Sequence, residues 1–287
     1  MKETRQVANV TNSALTIEGA GVRLMRAFGY YEVPKLDPFL MLDDFHSSEP
    51  LDYISGFPWH PHRGIETVTY VIRGKIDHGD SIGNSGTIGS GDVQWMTAGS
   101  GIVHQEMPKE YSGMMQGFQL WVNLPAANKM MDPRYRGITQ DQIPTSRPSK
   151  GVEVKVIAGK VGRVEGPVRD LVVEAEYLDV SVKPGIEFDR AISRGNNAFA
   201  YIFEGQGFFD PSNRGPAGEG SLIMFGDGDQ VETRAGRDGV RFLLVSGKPI
   251  REPVAWRGPI VMNTERELDI AFEEYWSGRF LKSAAKP

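Results

Sequence analysis

Two short segments of the sequence each place metal-ligating side chains two residues apart. GFPWHPHRG contains His60 and His62, and IVHQEMP contains His104 and Glu106. In an extended strand, residues i and i+2 point to the same face. Two neighbouring strands of this kind can therefore present three imidazoles and one carboxylate to a single ion.

This set of nitrogen and oxygen ligands suits a divalent first-row ion such as Fe(II), Mn(II), Ni(II) or Zn(II). The sequence contains no cysteine, which excludes disulfides and thiolate metal sites. Three neutral imidazoles and one carboxylate leave a net positive charge on a divalent ion, which would attract a deprotonated phenol. Four protein ligands on an octahedral ion leave two positions open, as a metal-dependent oxygenase requires, whereas a structural zinc site is closed at four ligands.

The alternative for these histidines is a buried structural role without a metal. A single His-X-His pair is common and usually carries no metal. Here, however, three of the five histidines lie in two strand-like segments, and this favours a metal site. The other two, His46 in DDFHSSEP and His78 in KIDHGDS, are predicted to lie on the solvated surface.

The elements that must position these ligands are short strands. Segments such as VTYVIRG, VQWM and GFQLWVNLP alternate apolar and polar residues, and glycine-rich turns separate them. Almost no helical periodicity lies between them, so an all-β sandwich or barrel is predicted. The alternation stops between Pro125 and Pro148, and this stretch is predicted to be a linker.

The strand pattern then returns in the same order. Tyr70-Val71-Ile72-Arg73-Gly74 recurs 131 positions later as Tyr201-Ile202-Phe203-Glu204-Gly205, and FQLWVNLP recurs as RFLLVSGKP. This order predicts a duplicated β-domain, with domains at residues 1–148 and 149–287.

The second half lacks the ligand pattern of the first. At the same offset, Ala191 and Ser193 stand opposite His60 and His62, and no histidine follows His104. The second domain is therefore predicted to hold no histidine-ligated metal.

One helix is predicted, close to the C-terminus. Thr264 and Glu267 form a capping box, and Gly278 ends the helix. Five apolar residues fall on one stripe at helical spacing: Leu268, Ala271, Phe272, Tyr275 and Trp276.

Composition and charge exclude several classes of protein. The net charge of −5 and the absence of a lysine- or arginine-rich run argue against direct nucleic-acid binding. No apolar run approaches the ~20 residues of a membrane span. The first residues, MKETRQVANVTNS, lack the apolar core of a signal peptide, so the cytoplasm is the expected compartment.

Taken together, the segments GFPWHPHRGIETVTYVIRG and GTIGSGDVQWMTAGSGIVHQEMP resemble the signature of the pirin family within the cupin superfamily. DPFLMLDDF and GPIVMNTERELDIAFEEYWSGRF resemble the family's N-terminal and C-terminal segments. The resemblance implies a bicupin, two double-stranded β-helix barrels with metal only in the first. It places the metal ligands on His60, His62, His104 and Glu106. Many other cupins use a glutamate shortly after His-X-His, here Glu66, which in a pirin would support the site instead.

The resemblance also implies a function. Some bacterial pirins resemble quercetin 2,3-dioxygenases, which implies a metal-dependent oxidoreductase that opens a flavonol ring with O2, with Glu106 as ligand and catalytic base. One divalent ion per chain is expected, Fe(II) first, with Mn, Ni, Zn, Co or Cu as alternatives. The alternative function is a non-enzymatic, iron-responsive regulator that binds a transcription factor or a metabolic enzyme.

Several further residues are predicted to line the substrate pocket or to contact the metal ligands. They are Asp43, Phe57, Arg63, Glu66, Trp95, Met107 and Phe118.

Overall fold

The computed structural model describes residues 2–32, 35–210 and 215–282. Strands dominate it, and they form two compact units. One unit, called here the histidine barrel, comprises the described residues of Leu15–Lys35, Phe39–Gln140 and Ile250–Pro287. The other, the histidine-free barrel, comprises those of Met1–Ala14, Leu36–Pro38 and Asp141–Pro249.

Twenty-four strands are present in the described residues. In chain order they are β1 (Val7–Asn12), β2 (Ala14–Glu18), β3 (Val22–Phe28), β4 (Phe39–Ser47), β5 (Phe57–His62), β6 (Ile65–Arg73), β7 (Ile76–Asp80), β8 (Ser85–Ile88), β9 (Val93–Thr97), β10 (Ile102–Pro108), β11 (Met115–Asn123), β12 (Arg134–Ile138), β13 (Thr145–Ser146), β14 (Val152–Ala158), β15 (Lys160–Val161), β16 (Val164–Glu165), β17 (Ala175–Val182), β18 (Glu187–Ala191), β19 (Asn197–Phe208), β20 (Ala217–Gly218), β21 (Ser221–Phe225), β22 (Gln230–Gly247), β23 (Ala255–Arg257) and β24 (Ile260–Met262). Short 3-10 helices occupy Tyr30–Glu32, Pro50–Asp52, Ala126–Asn128 and Gln140–Gln142.

The histidine barrel contains a seven-stranded sheet and a four-stranded sheet. The seven-stranded sheet has the order β12-β9-β6-β11-β4-β3-β2, and the four-stranded sheet has the order β5-β10-β7-β8. Val71, Ile76 and Ile88 belong to one buried apolar cluster of this unit, and Ile65, Met96 and Ile102 belong to another. The central strands β6 and β9 are buried along nearly their whole length, so both faces of the sheet are covered at these strands.

The histidine-free barrel is built on one nine-stranded sheet. Its main path is β1-β21-β19-β22-β17-β14-β13, with β18 paired to β22 and β20 paired to β19. Its core contains a large apolar cluster that includes Val154, Leu178, Ile202, Ile223 and Phe242. The prediction of an all-β fold with two barrels is confirmed.

The α-helix, α1 (Glu265–Trp276), follows the hairpin of β23 and β24. The Thr264 side chain and the Glu267 side chain form the predicted capping box. Leu268 and Ala271 are buried against the hairpin, whereas Trp276, a member of the predicted apolar stripe, is 79% exposed. No helix of the described chain is both long and apolar enough to cross a bilayer.

The predicted linker between Pro125 and Pro148 is wrong in two parts. Thr145–Ser146 forms β13, which pairs antiparallel with β14. Arg134–Ile138 forms β12, which pairs antiparallel with β9. The strand is only five residues long and follows Pro133, so its alternation is too short to detect without its partner strand. The boundary between residues 148 and 149 stays a prediction.

Candidate metal centre

The strands β5 and β10 bring three of the predicted ligands together. They pair antiparallel, with His104 directly opposite His60 and Ile102 opposite His62. The ring centroids of His60 and His104 lie 4.4 Å apart, and those of His62 and His104 lie 5.0 Å apart. One ligand atom from each of the three rings lies within 4.8 Å of the others, so this cluster could hold a metal ion.

Backbone carbonyls fix the orientation of two of these rings. Nδ1 of His60 lies 2.9 Å from the carbonyl oxygen of Pro58, and Nδ1 of His62 lies 2.9 Å from that of Pro259. Because a carbonyl oxygen only accepts, Nδ1 carries the proton in each ring and Nε2 carries a lone pair. The two Nε2 atoms lie 3.0 Å apart. Two facing lone pairs repel each other unless a cation lies beside both, which is the arrangement typical of metal-bound histidines.

His104 gives independent support for a cation. Its side chain is fully buried, and neither ring nitrogen has a hydrogen-bond partner among the described residues. Leaving a buried polar nitrogen unpaired costs about 1–3 kcal/mol. A metal ion beside one of these nitrogens would remove part of that cost, so the residues present fit the ion that the ligand pattern implies.

His62 and His104 are also in the protonation state that a metal requires. Burial lowers the pKa of His62 to about 3, and the neighbouring His60 acts in the same direction. Burial together with the surrounding histidines lowers the pKa of His104 well below its usual value. Both rings are therefore neutral at neutral pH, and a neutral imidazole is the form that binds a metal ion.

Glu106 lies beside the three histidines rather than among them. It follows His104 by two residues on β10, after an irregularity in the pairing with β5, and it is buried. Its Oε1 accepts a hydrogen bond of 2.7 Å from the Thr69 hydroxyl. Among the described residues, the set with mutually close ligand atoms contains the histidines and not Glu106.

His60, His62 and Glu106 line one cavity of about 660 Å³ within the histidine barrel. Most of its surface is apolar. The aliphatic and aromatic wall residues include Val22, Leu24, Phe45, Tyr53, Phe57 and Ile76. A cavity of this size and character suits a drug-sized organic ligand.

An aromatic wall extends from His62 towards the protein surface. The rings of His62 and Trp121 are 5.1 Å apart, those of Trp121 and Trp256 are 5.7 Å apart, and Tyr30 lies 5.7 Å from Trp256. All four side chains line the cavity. This wall offers flat faces on which a planar ligand can stack.

The other predicted pocket residues divide into two groups. Asp43 and Phe57 line the cavity. The remaining five, Arg63, Glu66, Trp95, Met107 and Phe118, are not part of its lining.

Arg63, Glu66 and Trp95 form hydrogen bonds outside the cavity. Arg63 is buried, and it donates to the carbonyl oxygens of Ser100 and Phe280 and to Glu274. These hydrogen bonds connect the end of β5 to the C-terminal segment. Glu66 accepts a hydrogen bond of 3.1 Å from Nε1 of Trp95.

The prediction for His78 is wrong, because this residue is buried. It lies on β7, which pairs with both β8 and β10. Its Nε2 is 3.4 Å from Asp80, and its ring stacks on Tyr135 at 5.0 Å. His46 is only half-buried, and its Nδ1 lies 2.9 Å from Asp44.

Most of the residues that line the cavity are not predicted from the sequence, among them Thr69, Trp121, Trp256 and Pro259. Thr69 lies on the inward-facing side of β6. The rule that alternate residues of a strand point to the same face could identify it. Trp121, Trp256 and Pro259 come from distant positions, and no local pattern in the sequence connects them with the ligands.

Comparison with known proteins places the chain in a family. The family model described as Pirin matches residues 21–122, and the one described as Pirin C-terminal cupin domain matches residues 177–281. A pirin-like protein of Caulobacter vibrioides is 44% identical over 277 residues, which cover 96% of this chain and 99% of the relative.

Solved structures agree with this relationship. The 1.88 Å crystal structure of quercetin 2,3-dioxygenase from Acinetobacter baumannii superposes with a TM-score of 0.89 at 29% identity, covering 96% of this chain and 98% of that one. A bacterial pirin from Escherichia coli, solved in complex with nickel(II), shares the fold with a TM-score of 0.64 at 19% identity, covering 84% of this chain and 98% of that one. The chain therefore belongs to the pirin family of bicupin proteins.

Proposed function

We propose that this protein is a metal-dependent dioxygenase that opens the heterocyclic ring of a flavonol. The observation that carries the proposal is the joint lining of one large apolar cavity by His60, His62 and Glu106. A purely structural metal site does not require an adjoining cavity of about 660 Å³. The likeness to the quercetin 2,3-dioxygenase of Acinetobacter baumannii supports the choice of substrate.

The ion would be held by nitrogens of His60, His62 and His104 and by the Glu106 carboxylate. One divalent ion per chain is proposed, with Fe(II) as the first choice. A bound ion of this kind would supply Lewis-acid and redox chemistry. The hydrogen bonds from His60 and His62 to backbone carbonyls hold the two rings with their Nε2 atoms facing each other, where the ion would bind.

Glu106 is proposed to act as the general base. Thr69 donates to Oε1, so Oε2 is the oxygen that would take up the proton of the flavonol 3-hydroxyl. The carboxylate is buried, which keeps bulk water from competing for that proton. The aromatic wall formed by Trp121, Trp256 and Tyr30 would hold the planar substrate by stacking.

The direct test is an assay under air with metal-loaded protein and a panel of flavonols. Ring opening consumes one O2 and releases one carbon monoxide for each flavonol, so carbon monoxide and the loss of flavonol absorbance are both measured. We expect both signals in the wild-type protein and neither in Glu106→Gln. If the loaded wild-type protein gives neither signal with any flavonol, the proposal is wrong.

The alternative of an iron-responsive regulator makes a different prediction. A regulator would bind a protein partner differently with reduced and with oxidised iron, and would turn over no flavonol. The cavity and its aromatic wall favour the enzyme, because binding a protein partner does not require a deep apolar cavity.

A further inference from the structure

A row of polar side chains crosses the otherwise apolar cavity. Arg26 on β3 pairs with Asp43 on β4, Asp43 pairs with Gln119 on β11, and Gln119 pairs with Thr69 on β6. Residues directly opposite each other on neighbouring strands share a face of the sheet. All four side chains line the cavity, and Thr69 continues the row to Glu106.

The far end of the row is an ion-paired cluster. Arg26 donates from Nε and Nη2 to the two carboxylate oxygens of Asp43, both at 2.8 Å, and from Nη1 to Glu18 at 2.9 Å. Asp43 is 3% exposed, and Glu18 also lines the cavity. Replacing a buried ion pair by packed apolar residues is often neutral or stabilising, so stability alone does not account for this cluster.

The cluster presents acceptors to the cavity. The Arg26 guanidinium uses three of its donor groups on Asp43 and Glu18. Each carboxylate has about four lone-pair sites, and the arginine occupies one or two of them. Two carboxylates and one guanidinium leave a net negative charge. A ligand at this end should therefore bring hydrogen-bond donors, and an anionic or O-methylated group should be disfavoured.

The spacing of the strands sets the size of such a ligand. Neighbouring strands lie about 4.8 Å apart, so the strand of Asp43 lies about 10 Å from that of Thr69. A single phenolic ring cannot reach both. A molecule of two or three linked rings can place one oxygen beside Glu106 and a hydroxyl beside Asp43.

From these observations we propose that the cluster Glu18–Arg26–Asp43 is a second recognition site of the cavity. It binds a phenolic hydroxyl on the ring remote from the metal centre. The inference rests on the proposed function and specifies its substrate class: multi-ring phenols with free hydroxyls at the remote end.

The test measures ligand binding without turnover. Zinc-loaded protein under nitrogen is titrated with quercetin, with 3-hydroxyflavone, which lacks the remote hydroxyls, and with catechol, which is a single ring. Quenching of tryptophan fluorescence reports binding, because Trp121 and Trp256 line the cavity. We expect quercetin to bind about tenfold more tightly than 3-hydroxyflavone, the gain typical of a hydrogen bond to a charged group, and catechol to bind more weakly than either.

Two variants test the cluster itself. Arg26→Met/Asp43→Leu replaces the ion pair by apolar side chains of similar size, and Glu18→Gln is a milder change at the most exposed member. The matched control, Arg147→Met/Glu153→Leu, removes an exposed ion pair of 2.8 Å in the histidine-free barrel. We expect the double cavity variant to bind quercetin and 3-hydroxyflavone equally, Glu18→Gln to reduce the preference, and the control to keep it. Thermal unfolding verifies that each variant folds.

Two results would overturn the inference while leaving the proposed function intact. One is a wild-type protein that binds 3-hydroxyflavone as tightly as quercetin. The other is an unchanged preference for quercetin in both cavity variants. If no flavonol binds to the loaded protein, both the inference and the proposed function are wrong.

Discussion

The two barrels of this protein have related strand patterns but different interiors. In the histidine barrel, β5 pairs with β10 and sets His60 opposite His104. In the histidine-free barrel, β18 pairs with β22 and sets Ala191 opposite Gln230. The second barrel forms a large apolar cluster without any of these ligands. The fold therefore does not need the histidines, and their burial has to be explained by chemistry.

The two barrels also differ in the buried groups that affect their stability. His104 is fully buried and neither of its ring nitrogens is paired among the described residues, whereas the large apolar cluster of the other barrel consists of valine, leucine, isoleucine, alanine and phenylalanine side chains. Polar groups buried without partners concentrate at functional sites. Loss of the ligands should thus abolish metal binding without preventing folding.

The largest expected effect follows from removing His104. In His104→Ala we expect metal affinity to fall at least 100-fold, since removing a ligand should cost more than removing the residues that orient it. Elemental analysis of the purified protein should show the metal content drop from about one ion per chain to a small fraction.

The control for this experiment is His46→Ala, which removes a half-buried histidine outside the cluster. It should retain full metal content. Equal metal content in His104→Ala and the wild type would contradict the assignment of the site to the three histidines.

Metal removal should change amide hydrogen exchange in the histidine barrel and leave it unchanged in the histidine-free barrel. A ligand at 1,000 times its Kd stabilises the folded state by about 4 kcal/mol. Treatment with a chelator should therefore speed amide hydrogen exchange in β5 and β10 and leave β18 and the paired part of β22 unchanged. Mass spectrometry of peptides from both barrels measures this, and equal changes in the two would contradict a metal site confined to the first.

A buried lysine should give the histidine barrel a pH dependence of its own. Lys129 is 1% exposed, and burial lowers its pKa to about 7 although Nζ donates to three oxygens, those of Gly64, Asn123 and Val261. The folded-state pKa lies below the unfolded value of 10.5, so between these values the unfolded chain binds more protons. The free energy of unfolding should then rise with pH by about 1 kcal/mol per unit.

Urea unfolding at pH 7.5, 8.5 and 9.5 tests this for the wild type and for Lys129→Met. The difference in unfolding free energy between the two proteins should grow with pH, in favour of the wild type. A constant difference would show that Lys129 stays charged in the folded protein over this range.

A smaller effect is expected from Thr69→Val, which keeps the shape of the side chain but removes the hydrogen bond to Glu106. Groups that orient metal ligands contribute about 10–100-fold to affinity, and the lower end applies to one neutral hydroxyl. Competition with a chromophoric chelator should show an increase in Kd of about tenfold. Thr69→Ser should restore the wild-type value, which a packing defect alone would not allow.

The smallest expected effect comes from grafting the first pair of ligands into the other barrel. In Ala191→His/Ser193→His, two imidazoles are added where β22 offers no third histidine. The metal content should stay at about one ion per chain, and elemental analysis measures it. A second tightly bound ion would show that a His-X-His pair alone suffices, and that the convergence of two strands is not required.

Sequence patterns predict the parts of the site that depend on residues close together in the chain. Strand geometry places His60 and His62 on one face, and it does the same for His104 and Glu106. The capping box at Thr264 also depends only on residues close in sequence. The segment KIDHGDS is typical of a loop and predicts that His78 lies on the surface. Its burial depends on pairing with β8 and β10, which the segment itself does not encode.

The walls of the cavity depend on contacts between distant residues. Trp256 and Pro259 lie nearly 200 positions beyond His62, yet Pro259 orients its ring. Arg63 is adjacent to a ligand in sequence, but Glu274 and the carbonyl oxygen of Phe280 attract its guanidinium away from the cavity. No periodicity reports such tertiary contacts. Of the seven further pocket residues predicted from the sequence, only Asp43 and Phe57 therefore line the cavity.

We propose that one ion is held by side chains of β5 and β10, with part of its coordination sphere open to the cavity. Anomalous diffraction at the absorption edge of the bound metal tests it most directly. We predict one peak per chain, about 2.0–2.2 Å from a nitrogen of each of His60, His62 and His104 and from an oxygen of Glu106. A peak elsewhere, or an ion surrounded on all sides by protein atoms, would contradict the account.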